Sequence, residues 1–270
     1  MGIPWIGAHF RLDALSAGFL VIINLAGIFA SLYGIGYGRH ESEPHRVLPF
    51  YPVFIAGMNL VLLADDVFAF LFAWELMSLA SWALVVSHHR EADSRRAGVL
   101  YLIMAAFGTL ALLLAFGLMA GPYGDYAFDA IRTHASHPLI ADLVFGLAIL
   151  GAGSKAGLVP LHIWLPSAHA NAPSHVSAIM SGVALKMGVY GIIRFSGWLP
   201  VPAAAGWVVA CVGAAGALFG IAFALAQNDL KRLLAYCSVE KIGSSMGVLG
   251  AALLGAAHGN ALWGRLALAG

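Results

Sequence analysis

The chain is short of charge and of cysteine. Asp, Glu, Lys and Arg make up only 10% of its 270 residues and balance to a formal net charge of +1, where a soluble domain carries roughly 25% charged residues. A nearly neutral chain without a dense Lys/Arg cluster has nothing with which to track phosphates, so nucleic acid is not an expected partner. The two cysteines, Cys211 and Cys237, stand apart in apolar stretches. They are too few for a disulfide framework, an iron–sulfur cluster or a cysteine-based zinc site. No phosphate-binding glycine loop, nucleophile triad or cofactor fingerprint occurs. No cofactor is therefore expected in this chain, and any redox centre belongs to a partner. The first residues lack a basic n-region and a small-residue cleavage site, so no removed targeting peptide is expected.

What the chain has in abundance is apolar surface: 61% of its residues are hydrophobic and the mean hydropathy is +0.86. A spanning helix needs about 20 mostly apolar residues. Eight stretches meet or approach that length, at 14–37, 48–64, 67–87, 97–120, 139–158, 173–195, 203–226 and 233–257. They are about twice the length of a barrel strand and do not alternate, so helices are expected. The predicted fold class is an all-α, polytopic transmembrane bundle, with the lipid bilayer as its first partner. On the side that precedes the first helix lie Arg11, Arg132, Arg194 and Arg265. On the opposite side lie Arg39, Arg46, Arg90, Arg95, Arg96, Lys231 and Arg232. The richer side is expected to be cytoplasmic, which places the N-terminus outside. The long connection 121–138, with Tyr123, Tyr126 and Phe128, is expected to be an ordered surface loop, with an interfacial amphipathic piece as the alternative.

Three ionisable side chains fall deep inside predicted spans: Glu75, Lys155 and Lys186. Each such charge costs roughly 2.5–3.5 kcal/mol at a bilayer centre. Burial favours the neutral form of an amine or carboxyl, while pairing favours the charged form. A Glu with two Lys is thus poised to exchange protons, and intramembrane ionisable groups mark functional paths by default. The competing reading is a buried ion pair that only sets helix register. Around Lys155, Gly151, Gly153, Gly157 and Pro160 predict a loosened helix, as in the broken helices of transporters; close helix packing is the other use of such glycines.

His162, His169 and His175 follow at spacings of seven and six through a Pro-broken loop, which matches no metal-ligand pattern, so no metal is expected. His169 and His175 are candidates to hand protons between cytoplasmic water and a buried lysine, against the plainer reading of satisfied loop histidines. Asn228 to Arg232 reads as a loop and helix start with Lys231 and Arg232 at the headgroups. Glu240 and Lys241 sit deeper. As neighbours on a helix they point in different directions, so they are not expected to pair with each other, but they extend the polar axis.

With these residues in view, FAWELMS (72–78), GSKAGLVPLHIWLP (153–166), APSHVSA (172–178) and NDLKRLLAYCSVE (228–240) resemble the antiporter-like membrane subunits shared by respiratory complex I, Mrp cation/proton antiporters and membrane-bound hydrogenases. The likeness is greatest to the large membrane subunit of the hydrogenase-4 and formate hydrogenlyase branch. It extends from about Asp13 to Gly250. The resemblance implies a fold of about fourteen helices on two inverted five-helix repeats. Within it, Glu75 matches the family's buried glutamate, Lys155 the lysine of the broken helix and Lys186 the lysine of the next helix. Three segments follow: 1–47, an N-terminal helix and loop; 48–196, the first five-helix repeat with the relay; and 197–270, the opening of the second. The chain is expected to be partial, because the distal ionisable residue of the family's path has no counterpart in it.

The resemblance further implies a proton-translocating subunit of a redox-driven complex in the cytoplasmic membrane of a prokaryote. Its partners would be other membrane subunits and a peripheral redox arm that carries iron–sulfur, nickel–iron or flavin centres. Two alternatives stand beside it: a Na⁺/H⁺ antiporter subunit without a redox partner, and a non-conducting scaffold for a hydrogenase arm.

Overall fold

A computed structural model describes residues 8–40, 43–121, 124–133, 138–199 and 203–259; Tyr123 and Arg265 lie outside them. The apolar runs form helices, since in hydrocarbon every backbone N–H and C=O must be satisfied within its own segment. The helices are α1 (Ala14–Tyr37), α2 (Phe50–Leu63), α3 (Val67–Val85), α4 (Ala92–Ala120), α5 (Phe128–Thr133) and α6 (Pro138–Ala156). They continue with α7 (Leu165–Asn171), α8 (Ser174–Ile179), α9 (Leu185–Trp198), α10 (Ala203–Leu225) and α11 (Leu230–Ala257). Among the described residues β-structure is limited to two isolated bridges, Phe10 with Ala64 and Asp66 with Ala127. Side chains such as Val21, Leu110 and Leu218 are exposed, as expected of helices whose outer faces meet lipid rather than water.

Among the described residues seven helical segments are long and apolar enough to cross a membrane, so this is a multi-pass membrane protein. The eighth expected span does form a helix, α11, of 28 residues. It falls outside the seven because Glu240, Lys241, Ser244 and Ser245 dilute its apolar content. Three of the seven are interrupted, one of them (Pro44–Leu63) by the turn between a 3-10 stretch (Pro44–Arg46) and α2. α6 stops at Ala156 and resumes as a 3-10 turn (Leu161–Trp164) and α7, while α8 runs through a π-helical stretch (Met180–Ala184) into α9.

The core lies between α2, α3, α4, α6 and α9, around the fully buried Phe54, Met58, Trp74, Met77, Phe116 and Tyr190. α10 and α11 pack chiefly on each other, backbone to backbone, at Gly213, Gly220, Gly243 and Gly250. Small residues supply van der Waals contact where no hydrophobic effect operates between helices.

The described part of the 121–138 connection is ordered and carries a short helix. Its helix α5 turns Phe128 and Ile131, each 3% exposed, into the protein. Phe128 joins Phe70, Phe116 and Trp198 in an aromatic cluster.

Arg194, counted above among the loop charges, lies within α9 and ties the N-terminal end of α1 to the bundle. It forms a two-pronged ion pair with Asp13 and donates to Ser16 Oγ at 2.7 Å and to Tyr190 OH at 2.9 Å. Ser16 Oγ in turn donates to the Leu62 carbonyl at 2.8 Å. The Arg194 guanidinium, outweighing partial burial, holds the Asp13 carboxyl well below the usual carboxylate range. A depressed carboxylate contributes stability that is present above its unfolded pKa, about 3.9, and is lost as pH falls through its folded value. Thermal stability in detergent should therefore drop on acidification below about pH 4, and more steeply in the native chain than in Asp13→Asn. Parallel slopes would sink this assignment.

Candidate functional site

The break after α6 places Lys155 in the interior. Gly157 adopts φ +76°, a left-handed conformation that glycine takes without strain, and the chain leaves the helix there. The carbonyls freed by the break find partners within the protein. Leu158 N donates to Gly153 O at 3.0 Å, and Trp164 Nε1 donates to Ser154 O at 2.9 Å. Loosening and close packing, the two readings of these glycines, hold together: an added Cβ at Gly151 would stand 2.7 Å from the Gly108 carbonyl of α4.

Lys155 is 6% exposed. Its Nζ donates to Tyr101 OH at 2.7 Å and to Ser78 Oγ at 3.1 Å and lies 5.2 Å from the Tyr101 ring centroid. Tyr101 OH and Ser81 Oγ are 2.5 Å apart. Glu75, half-buried, accepts instead from Thr109 Oγ1 of α4. Glu75 and Lys155 do not meet: no ion pair joins them among the described residues. The reason is register. α3 and α4 run antiparallel, with Ser81 opposite Tyr101 and Glu75 opposite Thr109. Lys155 reaches the level of Ser78, and Glu75 stands one turn away along α3, about 5 Å. A cavity of about 10 Å³ opens beside Lys155, lined by Trp74, Tyr101, Gly108 and Ser154 among others, which is space for one water.

Lys186 follows on α9, just beyond the π-helical stretch, and is half-buried. α6 and α9 cross so closely that a Cβ at Gly188 would stand 2.3 Å from the Ala152 carbonyl and 2.5 Å from Ala156 N. The crossing therefore sets Lys155 and Lys186 on two helices in backbone contact. Lys241 of α11 is near enough for its charge to bear on Lys186. Glu240 accepts from Ser244 Oγ at 3.0 Å and does not pair with Lys241, as expected. Ser181 and Ser238 hydroxyls, 2.6 Å apart, join the π-helical stretch to α11.

Of the two candidate histidines, His169 is 2% exposed on α7, and its Nε2 has no hydrogen-bond partner among the described residues. The charge of Lys231 bears on it. Lys231 does not simply reach to headgroups: its Nζ donates to the Ala172 carbonyl at 2.8 Å, capping the C-terminal end of α7 where a cation is favoured. His175 packs between Tyr37 and Tyr51, ring centroids 5.5 and 5.2 Å away. It lines a recess of about 220 Å³ between the end of α1 and the approach to α2, with Arg39 at its rim. No group of three or more His, Cys, Asp or Glu suited to a metal exists among the described residues.

Ser78, Ser81, Tyr101 and Thr109, the polar partners of the buried charges, were not among the expected site residues. A signal was there for the serines: Glu75, Ser78 and Ser81 recur every three residues and so share one face of α3. Nothing in sequence spacing connects that face to Tyr101 and Thr109.

A family model described as NADH:quinone oxidoreductase/Mrp antiporter, TM, matches residues 64–263. The chain is 41% identical over 251 residues to hydrogenase-4 component B of Escherichia coli, an alignment covering 91% of this chain and 37% of that protein. It is 33% identical over 260 residues to a putative antiporter subunit mnhA2 of Staphylococcus aureus, covering 92% of this chain and 32% of that protein. Among solved structures it resembles the Mrp complex of Dietzia sp., with a TM-score of 0.80 and 27% identity, over 92% of this chain and 28% of that one. It also resembles the membrane-bound sulfane sulfur reductase, an archaeal respiratory membrane complex, with a TM-score of 0.81 and 26% identity, over 98% of this chain and 46% of that one. The chain thus spans less than two fifths of the length of these two sequence relatives.

Proposed function

This chain belongs to the NADH:quinone oxidoreductase/Mrp antiporter membrane family, and from that premise we propose that it moves protons across the cytoplasmic membrane of a prokaryote as part of a redox-driven complex. Glu75, Lys155 and Lys186 form the relay. The observation that carries this reading is the setting of Lys155: an amine 6% exposed inside a spanning segment, held by two hydroxyls and no carboxylate, with a carboxylate one turn away. In that open arrangement the partners of the amine are hydroxyls, through which a proton can pass on. Tyr101 and the water-sized cavity give the proton a first step, and Lys186 on the crossing helix receives it. Closure of the Glu75–Lys155 gap brings the carboxylate to the amine.

His175, in its recess on the arginine-rich side, serves as the entry from cytoplasmic water, and His169 and Lys241 extend the polar axis. The N-terminus faces outward. Other membrane subunits and a peripheral arm holding iron–sulfur, nickel–iron or flavin centres supply the redox chemistry. The likeness to an antiporter subunit supports a second reading, Na⁺/H⁺ exchange through the same residues without a redox partner.

The test uses closed membrane vesicles that carry the intact complex, with pH followed by a dye. Electron donor should drive acidification, and Lys186→Ala or Glu75→Gln should abolish it while complex assembly persists. Pumping at the unaltered ratio in either variant overturns the relay. Sodium-dependent pH change without any donor selects exchange, and donor turnover insensitive to an imposed proton gradient selects a scaffold.

A further inference from the structure

At the arginine-rich end of the bundle a groove of about 460 Å³ lies where the approach to α2, the end of α3 and the start of α4 meet. Its walls are of two kinds. Toward the aqueous end stand Arg46, His89 and Arg95. Toward the hydrocarbon stand Phe50, Trp82 and Val99. Phe50 and Val99 are 40% and 60% exposed on helices that cross the membrane, so the groove opens toward lipid rather than into the protein. Among the described residues that line it, none is acidic.

The charges of this region are unevenly satisfied. Glu43 is shared between Arg46, at 2.5 Å, and the outlying Arg90, at 3.7 Å. The His89 ring nitrogen Nε2 lies 3.5 Å from Arg46 Nη2. The Arg95 side chain donates from Nη1 to the carbonyls of His89 and Arg90, at 2.9 and 2.7 Å, and no carboxylate pairs with it among the described residues. Those two carbonyl contacts hold the guanidinium in place over the groove. A fixed fork of donors suits a phosphate oxygen pair better than a mobile ammonium does.

We infer that this groove binds one anionic phospholipid, its phosphate between Arg46 and Arg95 and an acyl chain along Phe50, Trp82 and Val99. Charge complementarity selects the anionic headgroup. The apolar wall continuous with the lipid-facing surface selects a lipid over a free phosphate. The inference uses only the chain's place in the membrane and is independent of the proton relay. Basic pockets between spanning helices on the cytoplasmic side favour such headgroups, and each arginine near the surface strengthens the attraction.

The test is made on the intact chain, purified in detergent, delipidated, and titrated with phosphatidylglycerol or phosphatidylcholine carrying brominated acyl chains, with tryptophan fluorescence as readout. Phosphatidylglycerol should quench at about tenfold lower concentration than phosphatidylcholine. Arg95→Gln, which breaks no ion pair, should lose most of that preference, and Arg46→Gln with Arg95→Gln all of it. Trp82→Phe should reduce the extent of quenching without moving its midpoint. Arg96→Gln, 84% exposed and outside the groove, should change neither. Equal midpoints for the two lipids, or a preference that survives the double variant, overturn the inference. Relief of quenching by inorganic phosphate assigns the arginines to a soluble anion and overturns the lipid as occupant.

Discussion

Lys155→Met should leave a chain that inserts, folds and resists denaturation at least as well as the native one, and yet carries no protons. The two effects point in opposite directions because the amine is a cost to the fold and a requirement of the proposed relay. Lys155 is buried without a carboxylate partner. An amine taken out of water without a carboxylate partner costs the fold, and an apolar side chain of similar length removes that cost. The hydroxyls it leaves behind are not both stranded, since Tyr101 OH keeps its contact with Ser81. Donor-driven acidification in vesicles should fall to the level of uncoupled membranes. Unfolding in denaturant, followed on the same preparations, should shift upward or not at all. Transport that survives the substitution removes Lys155 from the proton path, and a large loss of stability shows that the amine serves the fold instead.

Gly188→Val should be the most destabilising single substitution in the site region. At the α6–α9 crossing an added Cβ meets backbone atoms, the Ala152 carbonyl at 2.3 Å and Ala156 N at 2.5 Å, and backbone cannot swing aside as a side-chain tip does. Overpacking a well-filled core costs typically 1–3 kcal/mol. Here the helices themselves must part, so about 3 kcal/mol or more is expected. Because Lys155 and Lys186 lie on the two helices that separate, transport should be lost even where folded chain is recovered. Gly146→Ala is the matched comparison. It lies in α6 with nothing within 4 Å of the added atom, and should be neutral or stabilise by about 0.5–1 kcal/mol through helix propensity. Similar unfolding midpoints for the two variants would contradict the crossing.

The sequence by itself determined the membrane fold: runs of about 20 apolar residues leave few alternatives to spanning helices when no water is present to satisfy the backbone. It also determined which charges sit in hydrocarbon, because Glu75, Lys155 and Lys186 stand in those runs, and it marked the break at Gly157 and Pro160. Family membership was legible in four short stretches of residues. What only the tertiary structure decided is which groups meet. That Lys155 reaches Ser78 and Tyr101 while Glu75 reaches Thr109 depends on the register of α3 against α4. That Arg194 pairs with Asp13, 181 positions away, and that Phe128 turns inward to the aromatic cluster, depend on which helices become neighbours. Hydropathy is a property of one segment at a time and is read residue by residue. Register and neighbourhood arise from the packing of several segments together, set here by glycine contacts and side-chain shape, and no single segment contains them.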